Sequence, residues 1–368
     1  MLCHLFLSLA LAIPVLASLE DLTHCDPLKK DTRCPPDPAF AGKASFDFST
    51  ADWNTQLSDF WAADAGTSKD HDHINFETDG KGAAVSVWGD GQAPTLTSNK
   101  YFLFGKVSVE AQAAQGPGLI TAIVLKSDSG DEIDWELLGA YDNQAQTNYF
   151  YDGQALFNTY NDTYPLDTPS FAAYHRYSVE WTPERLTFAI NGTDRKTWLV
   201  GDIPAAKWPQ TPMQVKLGVW SVGNASDPGE IAWAGGVPDW EGGKDRPRTA
   251  YFKSLEVDDY AGLCNQTDGP VEYLYNERTR GWSEVQIRGC VKRVFPGLPD
   301  ITGSPGQPTQ TGREPSGTAS PTNSNDTQPT QTGEEPPSET DDEGAAQLAK
   351  QLSSPLAAVV LLCWILMI

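Results

Sequence analysis

Basic residues are scarce in this chain of 368 residues. Lys and Arg number 26 against 49 Asp and Glu, which gives a formal net charge of −23 at pH 7. Nucleic acids and anionic membrane surfaces bind through clusters of basic side chains, so this balance argues against both as partners. Aromatic residues are plentiful, with 12 Trp and 12 Tyr. Such rings fill large cores, but they also stack on the apolar faces of sugars.

The cysteines show none of the spacings typical of zinc sites. No CxxC is present and no His cluster accompanies the cysteines, so neither a metal nor a cofactor is expected. Of the six cysteines, Cys3 and Cys363 fall in terminal segments that we predict to be removed. The remaining even number suits disulfides in an oxidising compartment. Three pairings are possible, and the short loops favour Cys25–Cys34 and Cys264–Cys290.

No apolar run reaches the roughly 20 residues that a membrane span needs. Residues 1–18 contain a short apolar run followed by small residues, which is typical of a secretory signal peptide. Residues 346–368 end in an apolar tail and resemble a glycosylphosphatidylinositol (GPI) attachment signal, with Gly344 as the candidate lipid-bearing residue. The alternatives are a buried N-terminal helix and a C-terminal tail anchor, although the tail lacks a flanking basic cluster.

Large apolar side chains are almost absent near the C-terminus. Residues 301–343 consist mainly of Gly, Pro, Ser, Thr, Gln and acids, which cannot bury enough apolar surface to offset their ordering entropy. We therefore predict a disordered stalk over residues 296–345, suited to O-glycosylation, and one folded domain over residues 19–295. Sequons that permit N-glycosylation occur at Asn161, Asn191, Asn224, Asn265 and Asn325.

Long amphipathic helices are absent from the domain, and strand patterns dominate it. KVSVEAQA (106–113) alternates between apolar and polar residues, and LITAIVLK (119–126) is almost continuously apolar. Turn dipeptides such as DG and NG separate these and later short strands. The pattern predicts an all-β, antiparallel two-sheet sandwich whose curved sheets form a concave groove.

One strand candidate, GDEIDWELLG (130–139), concentrates acids. Alternation would place Glu132, Asp134 and Glu136 on a single face, where like charges destabilise a sheet. An exposed edge strand is one explanation, although the apolar strand before it favours a central position. A Ca²⁺ site is a second, although Ca²⁺ ligands normally come from loops. Catalysis by paired carboxylates is the third.

The catalytic interpretation has a definite geometry. Retaining glycosidases need two carboxyl groups about 5–5.5 Å apart, one as nucleophile and one as acid/base. Positions i and i+4 lie about 13 Å apart along a strand, so Glu132 and Glu136 must lean together over the shorter Asp134. Asp134 can share a proton with one Glu and separate the two pKa values. The repulsion would then set the protonation states.

The stretch DEIDWELLG resembles the signature of glycoside hydrolase family 16, and its Trp and LLG resemble the fungal Crh-type cell-wall transglycosylases. Further similar blocks are CDPLKKDTRCPPDPAF (25–40), FGKVSVEAQAAQGPGLITAIVLKSD (104–128), NYFYDG (148–153) and YHRYSVEWTPERLTFAING (174–192). The resemblance implies a concanavalin-like β-jelly-roll, with Glu132 as nucleophile, Asp134 as assisting residue and Glu136 as proton donor. It also implies chitin as the donor and chitin or β-glucan as acceptor, so that the product is a cell-wall cross-link.

Other groove residues follow from the same resemblance. QVKLGVW (214–220) places Gln214, Lys216 and Trp220 on one face, where the family has a sugar-contacting Trp. Trp233, and Tyr149 together with Phe150, are further candidate sugar platforms, alongside Glu136 as a substrate contact. The alternatives are a solvated Lys216, a core Trp233 and a structural Tyr149. The family's layout implies a secreted monomer, lipid-anchored to the outer leaflet of the plasma membrane or linked to the cell wall.

Three functional classes remain open. A transglycosylase passes the sugar to another glycan, whereas a hydrolase of the same fold passes it to water, and both use the same glycosyl-enzyme. The third class is a lectin-like or structural wall glycoprotein without activity. Loss of Glu132 or Glu136 would indicate that third class, and both residues are present.

Overall fold

The computed structural model describes residues 25–29, 32–64, 73–76, 79–154, 159–204, 207–240 and 246–294. The predicted signal peptide, stalk and anchor signal lie outside these residues, as do Asn325 and Gly344.

Strands are the dominant regular elements of the described chain. The short helical segments are a π-helical turn (Trp53–Leu57), two 3-10 turns (Val200–Asp202 and Trp282–Glu284) and α1 (Pro228–Trp233). The strands are β1 (Asp37–Pro38), β2 (Lys43–Asp47), β3 (Trp61–Asp64), β4 (Ile74–Asn75), β5 (Ala83–Val87), β6 (Thr95–Phe102), β7 (Gly105–Gln112), β8 (Leu119–Ser127), β9 (Glu132–Leu138), β10 (Gln144–Phe150), β11 (Asp162–Pro165), β12 (His175–Trp181), β13 (Arg185–Ile190), β14 (Thr193–Leu199), β15 (Met213–Ser221), β16 (Arg248–Asp259), β17 (Cys264–Leu274) and β18 (Gln286–Arg293).

Two large antiparallel sheets carry the fold. One has the order β11-β10-β9-β8-β15-β6-β3, and the other has the order β14-β13-β12-β7-β16-β5-β4, with β2 also pairing with β16. A smaller sheet has the order β1-β17-β18 and so joins an early strand to the last two strands of the described chain. The predicted all-β, antiparallel fold is confirmed, and the acid strand β9 is central in its sheet rather than at an edge.

Side chains from the two large sheets meet in a common apolar core. Trp135 of β9 is fully buried and packs edge-on against Phe188 of β13, with ring centroids 5.5 Å apart. Its indole N–H donates to the backbone oxygen of Ser178 in β12, 3.2 Å away. The alternation of β9 thus turns one set of side chains into the core and leaves the acids on the opposite face of the sheet.

Two disulfides join the pairs that the short loops favoured. Cys25 bonds to Cys34 within the N-terminal segment, and Cys264 bonds to Cys290 across β17 and β18. Cross-links of this kind stabilise a fold chiefly by restricting the unfolded chain. In the part of the chain that the structure describes, no helix has the length and hydropathy of a membrane span.

Candidate active site

Strand β9 presents its three acids to one face of the seven-stranded sheet. Glu132, Asp134 and Glu136 lie opposite Lys126, Val124 and Ala122 of β8, respectively. The intervening Ile133, Trp135 and Leu137 are fully buried in the core on the other side. We call the face that carries Glu132, Asp134 and Glu136 the acid face. The spacing predicted from the sequence therefore brings the three acids together.

The fourth acid of the motif, Asp131, has a structural role. Its side chain is fully buried and accepts hydrogen bonds from the backbone N–H groups of Asp152, Gln210 and Thr211, at 2.8–3.1 Å. Burial raises the pKa of the Asp131 carboxyl, although these donors act in the opposite direction. Asp131 thus ties the β8–β9 turn to two neighbouring loops.

That turn also determines the register of β9. Gly130 adopts a left-handed φ of +87°, and a Cβ atom there would lie 2.6 Å from the backbone nitrogen of Gly153. Glycine suits this position for two reasons. Other residues are strained at positive φ, and their Cβ atom would collide with the neighbouring loop. With the turn held in this way, the last residues of β8 lie opposite the first acid of β9.

An ion pair at this position was not anticipated from the sequence. Lys126 Nζ contacts Glu132 Oε2, and both side chains are nearly buried, at 11% and 12% exposure. The sequence does carry a signal: Lys126 is the charged residue of LITAIVLK, and a short turn separates it from Glu132. Because a hairpin pairs residues equidistant from its turn, that spacing predicts a cross-strand contact.

Asp134 lies between the two glutamates on the same strand face and is 3% exposed. Burial raises the pKa of Asp134 well above its usual value, and the negative charges of Glu132 and Glu136 raise it further. The nearby Lys126 acts in the opposite direction, but burial dominates. The Asp134 side chain is also hydrogen-bonded to that of Glu132, which raises the Asp134 pKa further.

Glu136 is protonated at neutral pH. Burial raises its pKa to about 8, and the negative charge of Glu132 contributes to the shift. The site therefore holds Glu132 beside its cation and two further acids whose pKa values are raised. This arrangement explains how β9 tolerates three carboxyl groups on one face, because one is paired with a cation and the raised pKa values of the other two favour their neutral forms.

Aromatic side chains flank the acid face near Glu136. Trp220 of β15 and Trp233 of α1 stack with ring centroids 5.9 Å apart and an interplanar angle of 25°. Trp220 is only 7% exposed, whereas Trp233 is half-buried. The Trp233 indole N–H donates to Gln146 Oε1 at 2.9 Å, and Gln146 lies opposite Glu136 on β10. Sequence reasoning had not singled out Gln146.

Gln214 and Lys216 are the other predicted groove residues of β15. By register, Gln214 and Lys216 share the acid face with Trp220, as the alternation predicts. The Gln214 amide nitrogen donates to the backbone oxygen of Ser98 in β6, 2.7 Å away. This bond bridges the irregular register between β15 and β6, so the Gln214 donor serves the sheet.

The prediction that Tyr149 is a sugar platform is wrong. Tyr149 is fully buried and stacks on Tyr160 at 4.3 Å, on the core side of β10. Its strand neighbours Asn148 and Phe150 lie opposite Asp134 and Glu132 and so share the acid face. Consecutive strand residues point to opposite faces, and the register of β10 assigns Tyr149 to the core.

The sequons in the described chain are exposed at their Asn residues. The Asn191 amide is already engaged, since its oxygen accepts from the Arg176 N–H and its nitrogen lies 3.1 Å from His175 Nδ1. A glycan on Asn191 would have to share this amide, and the Asn224 amide nitrogen likewise donates to Asp90 Oδ2, 3.3 Å away. The exposed Asn residues are Asn161, Asn191, Asn224 and Asn265.

Among the described residues, no group of three or more His, Cys, Asp and Glu side chains is arranged to hold a metal ion.

A two-sheet antiparallel sandwich with two glutamates flanking an aspartate on one strand face defines a class of β-sandwich glycoside hydrolases. Residues 53–235 match the model of Glycosyl hydrolases family 16, and the chain belongs to this family. Its fungal relatives are of the Crh type, as the motif had indicated.

Three relatives illustrate the similarity. Crh-like protein 5 of Aspergillus fumigatus is 36% identical over 77% of this chain and 66% of its own length. Crh-like protein 2 of Botryotinia fuckeliana is 35% identical over 72% of this chain and 54% of its own length. A solved Crh5 transglycosylase in complex with NAG has a TM-score of 0.60 and 32% identity, covering 71% of this chain and 99% of that one. This chain thus spans about half to two thirds of the length of these curated relatives.

Proposed function

We propose that this protein is a retaining transglycosylase that cleaves chitin and transfers it to chitin or β-glucan in the fungal cell wall. The observation that carries the proposal is the contrast between two glutamates on one strand face, of which one is paired with Lys126 and the other has a raised pKa. Glu132 is paired with a cation, while burial keeps the Glu136 proton in place up to about pH 8. A nucleophile and an acid are thus prepared side by side.

The reaction proceeds in two displacements. The Glu132 carboxylate attacks the anomeric carbon, the glycosidic C–O bond breaks, and the leaving oxygen takes the proton of Glu136. An acceptor hydroxyl then gives its proton to Glu136 as its oxygen bonds to the anomeric carbon, which releases Glu132. Asp134 hydrogen-bonds Glu132 throughout and so orients the nucleophile. Two inversions give overall retention.

Transfer rather than hydrolysis requires a glycan acceptor to displace water. The half-buried Trp233 is supported by Trp220 and held by Gln146 beside Glu136, where an acceptor sugar would stack. Lys216 is a candidate ligand for sugar hydroxyls on the same face. The solved relative described as a Crh5 transglycosylase supports transfer, and its bound NAG is the sugar unit of chitin. Hydrolysis by the same residues is the alternative.

We also propose the path of the protein to the wall. The signal peptide over residues 1–18 would direct secretion of a folded domain over residues 19–295. The stalk over residues 296–345 and the removed signal over residues 346–368 would leave a monomer on a lipid at Gly344, or linked to the wall. Crh-like relatives and the disulfides support an extracellular location.

Labelled-acceptor transfer is the experiment that tests the activity. The secreted protein is incubated with unlabelled chitin oligomers and a fluorescent β-glucan or chitin oligomer, and products are separated by size. Longer labelled products are expected. Only shortened chitin oligomers would mean hydrolysis, and no change in either oligomer would indicate a binding protein.

A further inference from the structure

Lys126 is a nearly buried cation on an apolar strand. It lies directly opposite Glu132, and the neighbouring acid-face positions of β8 are the apolar Val124 and Ala122. A buried ion pair is weak evidence for stability, because desolvating two charges costs about as much as their attraction returns. The same strand face carries Asp134 and Glu136, whose raised pKa values are typical of functional sites, so the cation beside them is a candidate for a part in the reaction.

The negative charge of the site changes its position during the two displacements. In the proposed resting state, Glu132 is the carboxylate paired with Lys126, Glu136 is the proton donor, and the raised pKa of Asp134 favours its neutral form. In the glycosyl-enzyme, Glu132 is a neutral ester and Glu136 has given up its proton, so the negative charge has moved from Glu132 to Glu136. The second displacement returns the charge to Glu132. The site therefore carries one negative charge at each stage, in a largely buried setting.

We propose that Lys126 is a positioning residue that keeps Glu132 ionised as the nucleophile and balances the single negative charge of the site. The proposal rests on the proposed function, since it assigns Lys126 a part in that same reaction. Without the cation, the resting site would hold an uncompensated buried carboxylate, and Glu132 would take up a proton at higher pH.

The other titratable groups named here do not place a second positive charge directly beside Glu132. Asp134 and Glu136 share its strand, and Asn148 and Phe150 on the opposite strand β10 carry no charge. On the far side of β8, β15 contributes Lys216, one strand further from Glu132 than Lys126. At the same corner, the Tyr101 hydroxyl of β6 hydrogen-bonds Asp128 in the β8–β9 turn, 3.5 Å away.

The test is the pH dependence of kcat/KM for donor cleavage by the full chain and its Lys126→Met variant. Methionine keeps the length and most of the apolar stem but removes the charge. We expect the acid limb to move up by about 1–3 pH units, which is the usual influence of one opposite charge at contact distance. Activity at mildly acidic pH would then fall tenfold or more. Lys126→Arg keeps the charge and should restore the acid limb toward its original position.

A matched control comes from an exposed pair of the same kind. Lys43 and Asp258 lie opposite each other on β2 and β16, with Nζ and Oδ2 3.5 Å apart and Lys43 83% exposed. Lys43→Met should leave the profile unchanged. If Lys126→Met does not fold, Lys126→Gln provides the same loss of charge with a polar side chain, and the same shift is expected.

Three outcomes separate the hypotheses. An upward shift of the acid limb with rescue by arginine supports the proposal. A lower unfolding midpoint with an unchanged acid limb would mean that Lys126 is merely structural and would overturn it. A wild-type chain that neither transfers nor hydrolyses sugar would reject the proposed function itself, which is a different result from an active enzyme indifferent to residue 126.

Discussion

Glu136 is the residue whose protonation most directly limits the proposed reaction. Burial and the charge of Glu132 raise its pKa to about 8, so it holds its proton below that pH and loses it above. An acid that has lost its proton cannot assist the leaving group. We therefore expect activity to fall as pH rises through about 8, measured as kcat/KM from pH 5 to pH 10. A flat profile up to pH 10 would contradict this assignment.

The Glu136→Gln substitution removes the proton donor while keeping the size and hydrogen-bonding capacity of the side chain. Turnover should fall by about 10²–10⁴-fold, the range for losing a general acid. Binding of chitin oligomers, measured by calorimetry, should be largely retained because the platform residues are unchanged. The exposed Glu184 provides a control, since Glu184→Gln should leave turnover as it is. Normal turnover by the Glu136→Gln variant would show that another group supplies the proton.

Two aspartates of the motif show that residue type alone does not determine a role. Asp131 and Asp134 are both buried aspartates with raised pKa values, yet one holds loops together and the other contacts the nucleophile. Alternation separates them, because they lie an odd number of positions apart. Their pKa values could not be predicted from sequence, since burial depends on strands far away in the chain.

At the scale of elements, β9 connects the core to the acid face. Trp135 fills the space between the two large sheets, while its neighbours on the strand carry the acids. We expect Trp135→Ala to lower the free energy of unfolding by about 3–5 kcal/mol, as for other buried large-to-small changes. Chemical denaturation monitored by circular dichroism measures this loss.

Trp233→Ala serves as the comparison for that measurement. Trp233 is half-buried on α1 and lies in the smaller apolar cluster with Trp220, outside the main core. Its loss should cost clearly less stability than that of Trp135 but should reduce acceptor transfer. Equal destabilisation by the two substitutions would mean that Trp233 is a core residue after all.

For the molecule as a whole, several buried acids share a raised pKa. Burial raises the pKa of Asp37 to about 7 and that of Asp259 to about 7, in addition to that of Glu136 at about 8. These groups bind protons in the folded state at pH values where the unfolded chain has released them. By linkage, stability is then greatest at mildly acidic pH and falls as pH rises toward about 8.

Thermal unfolding at several pH values checks this expectation. The Tm should be higher near pH 5 than near pH 8, and ionic strength should be held constant across the series. Asp259→Asn should flatten part of the dependence, because the amide does not titrate at the site where Asp259 accepts from Ala41 N–H and Tyr273 O–H. A Tm that rises from pH 5 to pH 8 would contradict the expectation.

The sequence by itself determined the features that depend on local periodicity and spacing. Alternation in EIDWE places three acids on one face, the many short strands indicate an antiparallel all-β fold, and the short cysteine loops indicate both disulfides. These inferences hold because side-chain direction in a strand and the reach of a short loop follow from nearby residues alone.

The tertiary structure decided which strands are neighbours and how deeply each group is buried. It assigned Tyr149 to the core and its neighbour Phe150 to the acid face, whereas alternation alone does not tell which of the two faces the core. It also buried Asp134 and Glu136 enough to raise their pKa values, and brought Gln146 to Trp233. Register and desolvation are long-range properties, because they depend on strands brought together from distant parts of the chain.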